Sequence, residues 1–328
     1  MAKVIGLGNA LVDIMTPLRN DDILQQIDFP KGSMQLVDAE KSAEILKLTS
    51  DIDSSIASGG SAANTIHGIA RLGMETAFVG KISDDEYGEF FKQDLIKSNI
   101  KPALFYSETE TGRAIALVSP DSERTFGTYL GAAVELSAAD ITADIFKGYD
   151  MLHIEGYLVF NEDLIEKAVK VAKQEGLEVS LDLASFNVVD AKLDFLKRIT
   201  DKYVDILFAN EEEARSFTGQ DDPEKALEMI SEQVDVSVVK VGKEGSMILK
   251  EGLKTKVQVI DAKPIDTTGA GDYYASGFLY AYLNGMTLAQ AGKLGSLLAG
   301  KVIEVMGATI SDEVWKEIIE EVRIIKAS

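Results

Sequence analysis

The stretch DTTGAGDYYASG, residues 266–277, places glycines and a carboxylate in a short turn that runs into a helix. The first turn of a helix has unpaired N–H groups and a partial positive charge. Because Gly269, Ala270 and Gly271 have little or no side chain, an anion can approach those amides closely. Asp272 would stand beside that anion, where a carboxylate can accept a proton from an attacking hydroxyl. The stretch predicts an anion hole with a general base; the alternative is an N-cap whose carboxylate only satisfies amides.

Two further stretches suit the binding of a small polyol. In SGGSAANT, Gly59 and Gly60 precede a predicted helix and Asn64 falls in its first turn, and paired glycines let a backbone pass against a ligand. In GNALVDI, Asn9 and Asp13 follow a predicted strand, and the carboxyl ends of strands are where open α/β sheets bind ligands. The alternatives are an ordinary glycine turn, turn capping, and a dinucleotide loop in GLGNAL, which lacks the third glycine of that motif.

The stretch ANEEEA ends a predicted strand with Asn210 and carries Glu213 in the first turn of the next helix. An amide and a carboxylate three residues apart face the same way and can organise a hydrated Mg²⁺. The alternative is a solvated acidic helix start, which interacts favourably with the helix dipole.

The composition of the 328-residue chain, 46% hydrophobic and 27% charged, is that of a folded globular protein. The net charge is −21 and no cluster of Lys and Arg stands out, so we expect no nucleic-acid partner. The chain has no cysteine, no run of about 18 apolar residues and no secretory signal at its start. We therefore expect no disulfide, no membrane span and a cytoplasmic location.

Short apolar runs alternate with helical patterns along the chain. This alternation predicts an α/β fold with an open, mostly parallel sheet and helices on both faces, in a single domain over residues 1–328. Irregular or period-two patterns at about 14–38 and 101–130 predict insertions that form a small β-sheet lid, with strands over Thr111–Val118 and Arg124–Leu130. The predicted strands of the large sheet are 4–8, 76–82, 150–156, 178–184, 204–210 and 236–242, and helices are predicted at 61–73 and 162–176.

In this order, GGSAAN, NEEE and DTTGAGDYYASG closely resemble the hallmark regions of the ribokinase-like (PfkB) carbohydrate kinase family, over essentially the whole chain. The resemblance implies a ribokinase-like fold and transfer of the γ-phosphoryl group of ATP, with Mg²⁺, to a sugar hydroxyl. It also implies that Asp272 is the base and that the amides before it form the anion hole. Asn210 and Glu213 would position Mg²⁺ and phosphate, and Arg124 on the lid would reach the phosphates.

The resemblance carries over further binding residues. Where the family often has Thr-x-Gly, this chain has Lys240-Val241-Gly242, and Lys240 either contacts the ATP phosphates or is exposed. Many family members bind a monovalent cation near the turn formed by residues 266–271, hereafter the phosphate turn, which would place K⁺ near Asp266, Gly307 and Ser311. The residues that would hold the sugar are Asn9, Asp13, Gly59, Gly60 and Asn64.

Within the family, GNALVDI looks most like the start of adenosine kinases, which have Asn and Asp at this four-residue separation. Tyr157 stands where that subgroup carries an aromatic that can stack on a purine. The expected activity is therefore phosphorylation of the 5′-hydroxyl of a nucleoside, adenosine first. The alternatives are a sugar kinase acting on ribose, fructose or a related carbohydrate, and a non-catalytic binding protein. We expect a monomer or a homodimer.

Overall fold

The computed structural model describes residues 2–327, which form two β-sheets with flanking helices. The strands are β1 (Lys3–Leu7), β2 (Leu11–Pro17), β3 (Met34–Leu36), β4 (Ser55–Gly59), β5 (Glu75–Ser83), β6 (Ile100–Ser107), β7 (Gly112–Val118), β8 (Arg124–Tyr129), β9 (Met151–Glu155), β10 (Glu178–Asp182), β11 (Ile206–Asn210), β12 (Val236–Lys240), β13 (Ser246–Lys250) and β14 (Leu253–Val257). The helices are α1 (Asp22–Gln26), α2 (Ala39–Leu48), α3 (Ser61–Arg71), α4 (Glu86–Lys97), α5 (Ala143–Phe146), α6 (Glu162–Gln174), α7 (Phe186–Tyr203), α8 (Glu211–Thr218), α9 (Pro223–Ser231), α10 (Ala270–Leu283), α11 (Leu288–Val302) and α12 (Asp312–Ala327).

The large sheet has nine strands in the order β14-β13-β12-β11-β10-β9-β1-β5-β6. All pairs from β12 to β6 are parallel, and β13 and β14 add an antiparallel edge. This arrangement confirms the predicted open, mostly parallel α/β sheet. None of the helices within residues 2–327 is long and apolar enough to cross a membrane.

Each face of the large sheet buries its own hydrophobic core, because alternate residues of a strand point to opposite faces. In β1, Val4 belongs to the core that includes α3, α10 and α11, whereas Ile5 and Leu7 belong to the core that includes α6 and α7. All three side chains are fully buried. Strands buried on both faces are nearly continuous apolar runs, which is why the sequence predicts them.

The small sheet has five strands in the order β3-β8-β7-β2-β4, and it corrects the predicted insertion boundaries. The segment Ile100–Ser107 is β6, which pairs with β5 in the large sheet, so only the later part of 101–130 enters the small sheet. In the first insertion, β2 begins before residue 14 and α1 is helical; β4, which lies beyond residue 38, joins the small sheet as an additional strand. The sequence SIASG of β4 does not predict a strand, because Ser, Ala and Gly are weak strand formers.

The polar ends of the central strands meet at one edge of the large sheet, since parallel strands align their carboxyl ends. The small sheet lies over this edge, because Asp13, Leu36 and Thr128 line the same cavity as Asp182 and Lys240. The cavity measures about 1920 Å³. This volume exceeds the roughly 300–1,000 Å³ of a typical small-molecule site, so two ligands can lie side by side.

Candidate active site

Asp272 lies in the first turn of α10, half-buried and lining the cavity. Ser61 Oγ donates to its Oδ1 at 2.6 Å, and Asn64 Nδ2 donates to its Oδ2 at 2.9 Å. Both donors lie in the first turn of α3, so the N-termini of two helices meet at this carboxylate. The two helices approach closely because Gly68 leaves room for Ser276, with which any Cβ at Gly68 would collide. Asp272 is therefore held in one orientation from two sides.

Burial raises the pKa of Asp272 to about 6, although the hydrogen bonds from Ser61 and Asn64 lower it. The same value includes smaller contributions from the Asp182 carboxylate, which raises the pKa, and from the Lys240 ammonium, which lowers it. At neutral pH the carboxylate is therefore mostly ionised, yet more basic than an ordinary aspartate, which suits a general base. Each oxygen accepts one described hydrogen bond from a side chain, and a carboxylate has about four acceptor positions, so a substrate hydroxyl can still bind.

The amides of the predicted anion hole differ in whether they already donate a hydrogen bond within the protein. Gly269 is the N-cap of α10 and has φ +75°, a left-handed conformation that favours glycine. Ala270 N donates to Thr267 O at 3.2 Å, so this predicted member of the anion hole already has an acceptor. For the amides of Gly269 and Gly271, residues 2–327 provide no described acceptor, so these two can still bind an anion.

Lys240, the last residue of β12, lies against the phosphate turn. Its Nζ donates to Asp182 Oδ2 at 2.9 Å and would stand 3.0 Å from a Cβ at Gly271. Burial alone would lower the pKa of Lys240, but Asp182 and Glu213 outweigh it and raise the pKa to about 12. The side chain is only 16% exposed, which excludes the alternative of an exposed lysine. Gly242, two residues on, lines the same cavity with φ +51°.

Asn210 and Glu213 bond to each other. Asn210 N and Nδ2 each donate to the Glu213 carboxylate at 2.7 Å, and Glu213 N donates to Asn210 Oδ1 at 2.9 Å. This reciprocal capping box begins α8, but Glu213 is buried, unlike the solvated acidic helix start considered as the alternative. Glu213 nevertheless lines the cavity, where burial raises its pKa to about 7. Residues 2–327 contain no group of three or more His, Cys, Asp or Glu side chains that could hold a metal ion.

Asn9, just beyond β1, bonds to a carboxylate that the sequence analysis did not identify. Asn9 N and Nδ2 donate to Glu155 Oε1 at 3.0 and 2.6 Å, and Ala62 N donates to Glu155 Oε2 at 2.9 Å. Glu155 thereby joins the end of β1 to the first turn of α3. Within the described residues, the buried Asn9 Oδ1 has no hydrogen-bond partner, so it can accept from a ligand. An acidic residue at the end of the apolar strand in DMLHIEG is the signal that could have identified Glu155.

Asp13 in β2 lines the cavity, and no donor to its carboxylate is described within residues 2–327. Burial, together with the nearby Asp272 carboxylate, raises the pKa of Asp13 to about 7. Gly59 and Gly60 allow the backbone to pack against Asp13 and Asn9. A Cβ at Gly59 would collide with the Asp13 carboxylate, and a Cβ at Gly60 with the Asn9 carbonyl oxygen. The glycines therefore allow close packing within the protein itself.

Part of the cavity wall is apolar. Tyr157 follows β9, and its hydroxyl donates to Ala184 O at 3.4 Å. A concentration of exposed apolar side chains marks a binding surface for an apolar group. The large hydrophobic residues that are exposed and line the cavity are Met34, Leu36, Val134, Tyr157, Phe160 and Val259.

Arg124 and Asp266 form an ion pair with each other. The sequence instead predicts Arg124 at the ATP phosphates and Asp266 at a monovalent cation. Arg124 does not line the large cavity; its guanidinium bonds to both oxygens of Asp266 and to Thr268 Oγ1. Gly307 N also donates to Asp266, at 2.7 Å. Ser311 Oγ accepts a backbone N–H at the start of α12, and the described residues show no hydrogen bond between Ser311 and Asp266. The expected cation site is thus built around an arginine.

The chain is similar to known carbohydrate and adenosine kinases. The family model described as pfkB family carbohydrate kinase matches residues 40–315. The structure of a probable sugar kinase from Rhizobium etli is 35% identical, with a TM-score of 0.87 and 98% of each chain covered. The structure of adenosine kinase from Sinorhizobium meliloti is 33% identical, with a TM-score of 0.86, covering 98% of this chain and 99% of that one. An uncharacterized sugar kinase from Archaeoglobus fulgidus is 29% identical over 242 residues, 74% of this chain and 96% of its own length.

Proposed function

The chain belongs to the pfkB family of carbohydrate kinases, which are phosphotransferases with hydroxyl acceptors, and we propose that it transfers the γ-phosphoryl group of ATP to the 5′-hydroxyl of a nucleoside, adenosine first. The observation that carries the proposal is the position of Asp272. Its carboxylate is oriented by Ser61 and Asn64 and stands beside the free amides of the phosphate turn. A base and an anion site so close together suit the transfer of a phosphoryl group to a hydroxyl.

In the proposed reaction, the acceptor hydroxyl donates a hydrogen bond to Asp272 and its oxygen attacks the γ-phosphorus in line. A new P–O bond forms to the acceptor, the bond from the γ-phosphorus to the bridging oxygen breaks, and ADP leaves with that electron pair. Asp272 takes the hydroxyl proton. The amides of Gly269 and Gly271, together with the Lys240 ammonium, offset the negative charge on the phosphoryl oxygens.

The residues present fit a Mg²⁺ that arrives with ATP and is held through water. Mg²⁺ keeps several waters and is bound through one or two carboxylates plus substrate phosphates. Glu213 and Asp182 are carboxylates that line the cavity near Lys240, so both can accept from such waters. When bound, the ion would neutralise charge on the β- and γ-phosphates.

A nucleoside suits the acceptor half of the cavity better than a free sugar. Asp13 and Asn9 Oδ1 offer acceptors without described protein donors, which suits the neighbouring hydroxyls of a ribose. The exposed apolar wall that includes Leu36 and Tyr157 suits a flat, weakly polar base, whereas a free hexose would leave it uncovered. The likeness to the Sinorhizobium meliloti adenosine kinase supports the same choice.

The second candidate is a sugar kinase acting on ribose, fructose or a related carbohydrate. It is favoured by the similarity to the Rhizobium etli and Archaeoglobus fulgidus proteins, both of which are named sugar kinases. The same base and anion site would serve either acceptor. The two candidates therefore differ only at the apolar wall, which the base of a nucleoside would cover and a free sugar would not.

The test is ADP formation from Mg-ATP with adenosine, other nucleosides, ribose, fructose and sugar phosphates as acceptors, in wild type and in Asp272→Asn. We expect adenosine to give the highest kcat/KM, and Asp272→Asn to lower kcat by roughly 10²–10⁴-fold, the usual contribution of a general base. Turnover with free sugars alone would select the second candidate. Near-normal turnover in Asp272→Asn would remove Asp272 from its proposed role.

A further inference from the structure

Arg124 and Asp266 form a bidentate ion pair between the small sheet and the phosphate turn. Arg124 Nη1 lies 2.6 Å from Asp266 Oδ2, and Nη2 lies 2.5 Å from Oδ1. The two side chains are 15% and 0% exposed. Such a pair is strong and has a defined geometry, because the planar fork of donors matches the two carboxylate oxygens.

The Asp266 carboxylate has no acceptor position left for a cation. Oδ1 also accepts from Thr268 N at 2.7 Å, and Oδ2 also accepts from Gly307 N at 2.7 Å. With the two guanidinium bonds, these donors use the about four acceptor positions that a carboxylate has. A site that the sequence assigned to a monovalent cation therefore fits a guanidinium and does not fit K⁺.

We propose that Arg124 supplies the positive charge that a monovalent cation would otherwise supply beside the phosphate turn, so that phosphoryl transfer by this protein needs no K⁺. An arginine side chain supplies a permanent positive charge. Unlike a dissolved ion, it reaches Asp266 only when the small sheet lies against the turn. Arg124 is thus a positioning residue that acts through Asp266.

The same contact links the acceptor side of the cavity to the phosphate side. Asp266 lies three residues and Thr268 one residue before Gly269, whose amide belongs to the anion site. Arg124 and Phe126 both lie in β8, and the Arg124 guanidinium carbon is 5.6 Å from the centroid of the Phe126 ring. Phe126 lines the cavity. A shift of β8 therefore moves the contact that orders the phosphate turn. Only the kinetic part of this inference rests on the proposed function.

The kinetic experiment compares turnover in KCl and in choline chloride at equal ionic strength. For wild type we expect the same kcat in both salts. For Arg124→Met we expect kcat in choline chloride to fall by roughly 10²-fold, as misplacement of reacting groups by about 1 Å does, with acceptor KM little changed. KCl should restore part of that loss, because the substitution frees oxygens of Asp266 for the ion.

The matched control is Arg113→Met, since Arg113 is a buried arginine of the small sheet that bonds to Ser42 and Glu110 and not to the phosphate turn. It should show no response to K⁺. Wild-type kcat that rises several-fold in KCl would overturn the proposal, as would full kcat of Arg124→Met in choline chloride. Should Arg124→Met not fold, Arg124→Lys can replace it, because lysine retains the charge without the planar fork of donors. The comparison of wild-type kcat in KCl and in choline chloride tests the proposal without any variant.

Thermal unfolding provides a readout that does not depend on activity. The midpoint of Arg124→Met should rise in KCl relative to choline chloride, and wild type, Arg113→Met and the double variant Arg124→Met/Asp266→Asn should show no such difference. If no acceptor is phosphorylated by wild type, the proposed function fails while this comparison still tests the inference. If Arg124→Met responds to K⁺ no more than wild type does, the inference fails whatever the kinetics show.

Discussion

Lys240 and Asp182 form a 2.9 Å ion pair between the ends of β12 and β10, beside Gly271 in the phosphate turn. Their side chains are 16% and 7% exposed. Because a buried charge needs a counter-charge, Asp182 keeps the ammonium group in place before any nucleotide binds. A phosphate that enters the turn then meets a positioned charge, and little side-chain entropy is lost on binding.

We predict that Lys240→Met weakens both folding and ATP binding. The free energy of unfolding should fall by about 3–5 kcal/mol, because Asp182 and Glu213 lose their buried counter-charge. The KM for ATP should rise by roughly tenfold or more, since a hydrogen bond to a charged group contributes about 1.5–3 kcal/mol. Urea unfolding and steady-state kinetics with varied ATP measure the two effects.

A second ion pair provides the control for that variant. Lys173 Nζ lies 2.6 Å from Asp205 at the opposite end of the sheet, so Lys173→Met also breaks a lysine–aspartate pair. It should leave the KM for ATP unchanged. An unchanged KM for ATP in Lys240→Met would show that Lys240 serves the fold and does not contact the nucleotide.

We predict that kcat/KM rises with pH through the pKa of Asp272. The proposed base can accept a proton only when it is ionised, and its pKa is about 6, so the rate should fall on the acid side of that value and level off above it. Ser61→Ala removes a hydrogen bond that lowers this pKa, so its acid limb should lie at higher pH than that of wild type. The test is kcat/KM of wild type and of Ser61→Ala measured between about pH 5 and about pH 8. Coincident pH profiles of the two proteins would show that Asp272 does not determine the fall in rate at acid pH.

The sequence predicts local features well and distant contacts poorly. The apolar strands β1 and β9 are apparent because they are buried on both faces. The three-residue spacing of Asn210 and Glu213 predicts that they face the same way, and they do lie together, as a capping box. The Arg124–Asp266 pair joins residues 142 positions apart, and no local pattern indicates it. The partners of Glu155, Asn9 and Ala62, are also distant in sequence, so the acidic residue at the end of the strand in DMLHIEG could have been noticed but its bonds could not be predicted. Side-chain partners across the fold depend on the packing of whole elements.

We predict that Glu155→Gln impairs acceptor binding without affecting ATP. A glutamine has one acceptor oxygen, so the donors on Asn9 and Ala62 cannot all be satisfied and Asn9 should shift. One unsatisfied buried donor costs about 1–3 kcal/mol, which we expect as lost stability together with a raised KM for the acceptor. Glu178→Gln, at the far end of β10, is the control and should change neither KM value. Equal changes in the KM values for ATP and acceptor would point to general loosening of the fold.

We predict that Leu36→Ser raises the KM for a nucleoside and leaves the fold intact. Leu36 is 69% exposed and lines the cavity, so its contribution arises only when a ligand covers it. Burying a leucine side chain contributes about 1.5–3 kcal/mol, which corresponds to a KM for adenosine raised roughly tenfold or more, with kcat unchanged. Leu253→Ser is the matched control, because Leu253 is 64% exposed on β14 and does not line the cavity. Both variants should keep the wild-type unfolding midpoint. An unchanged KM for adenosine in Leu36→Ser, together with turnover of a free sugar, would favour the sugar kinase over the nucleoside kinase.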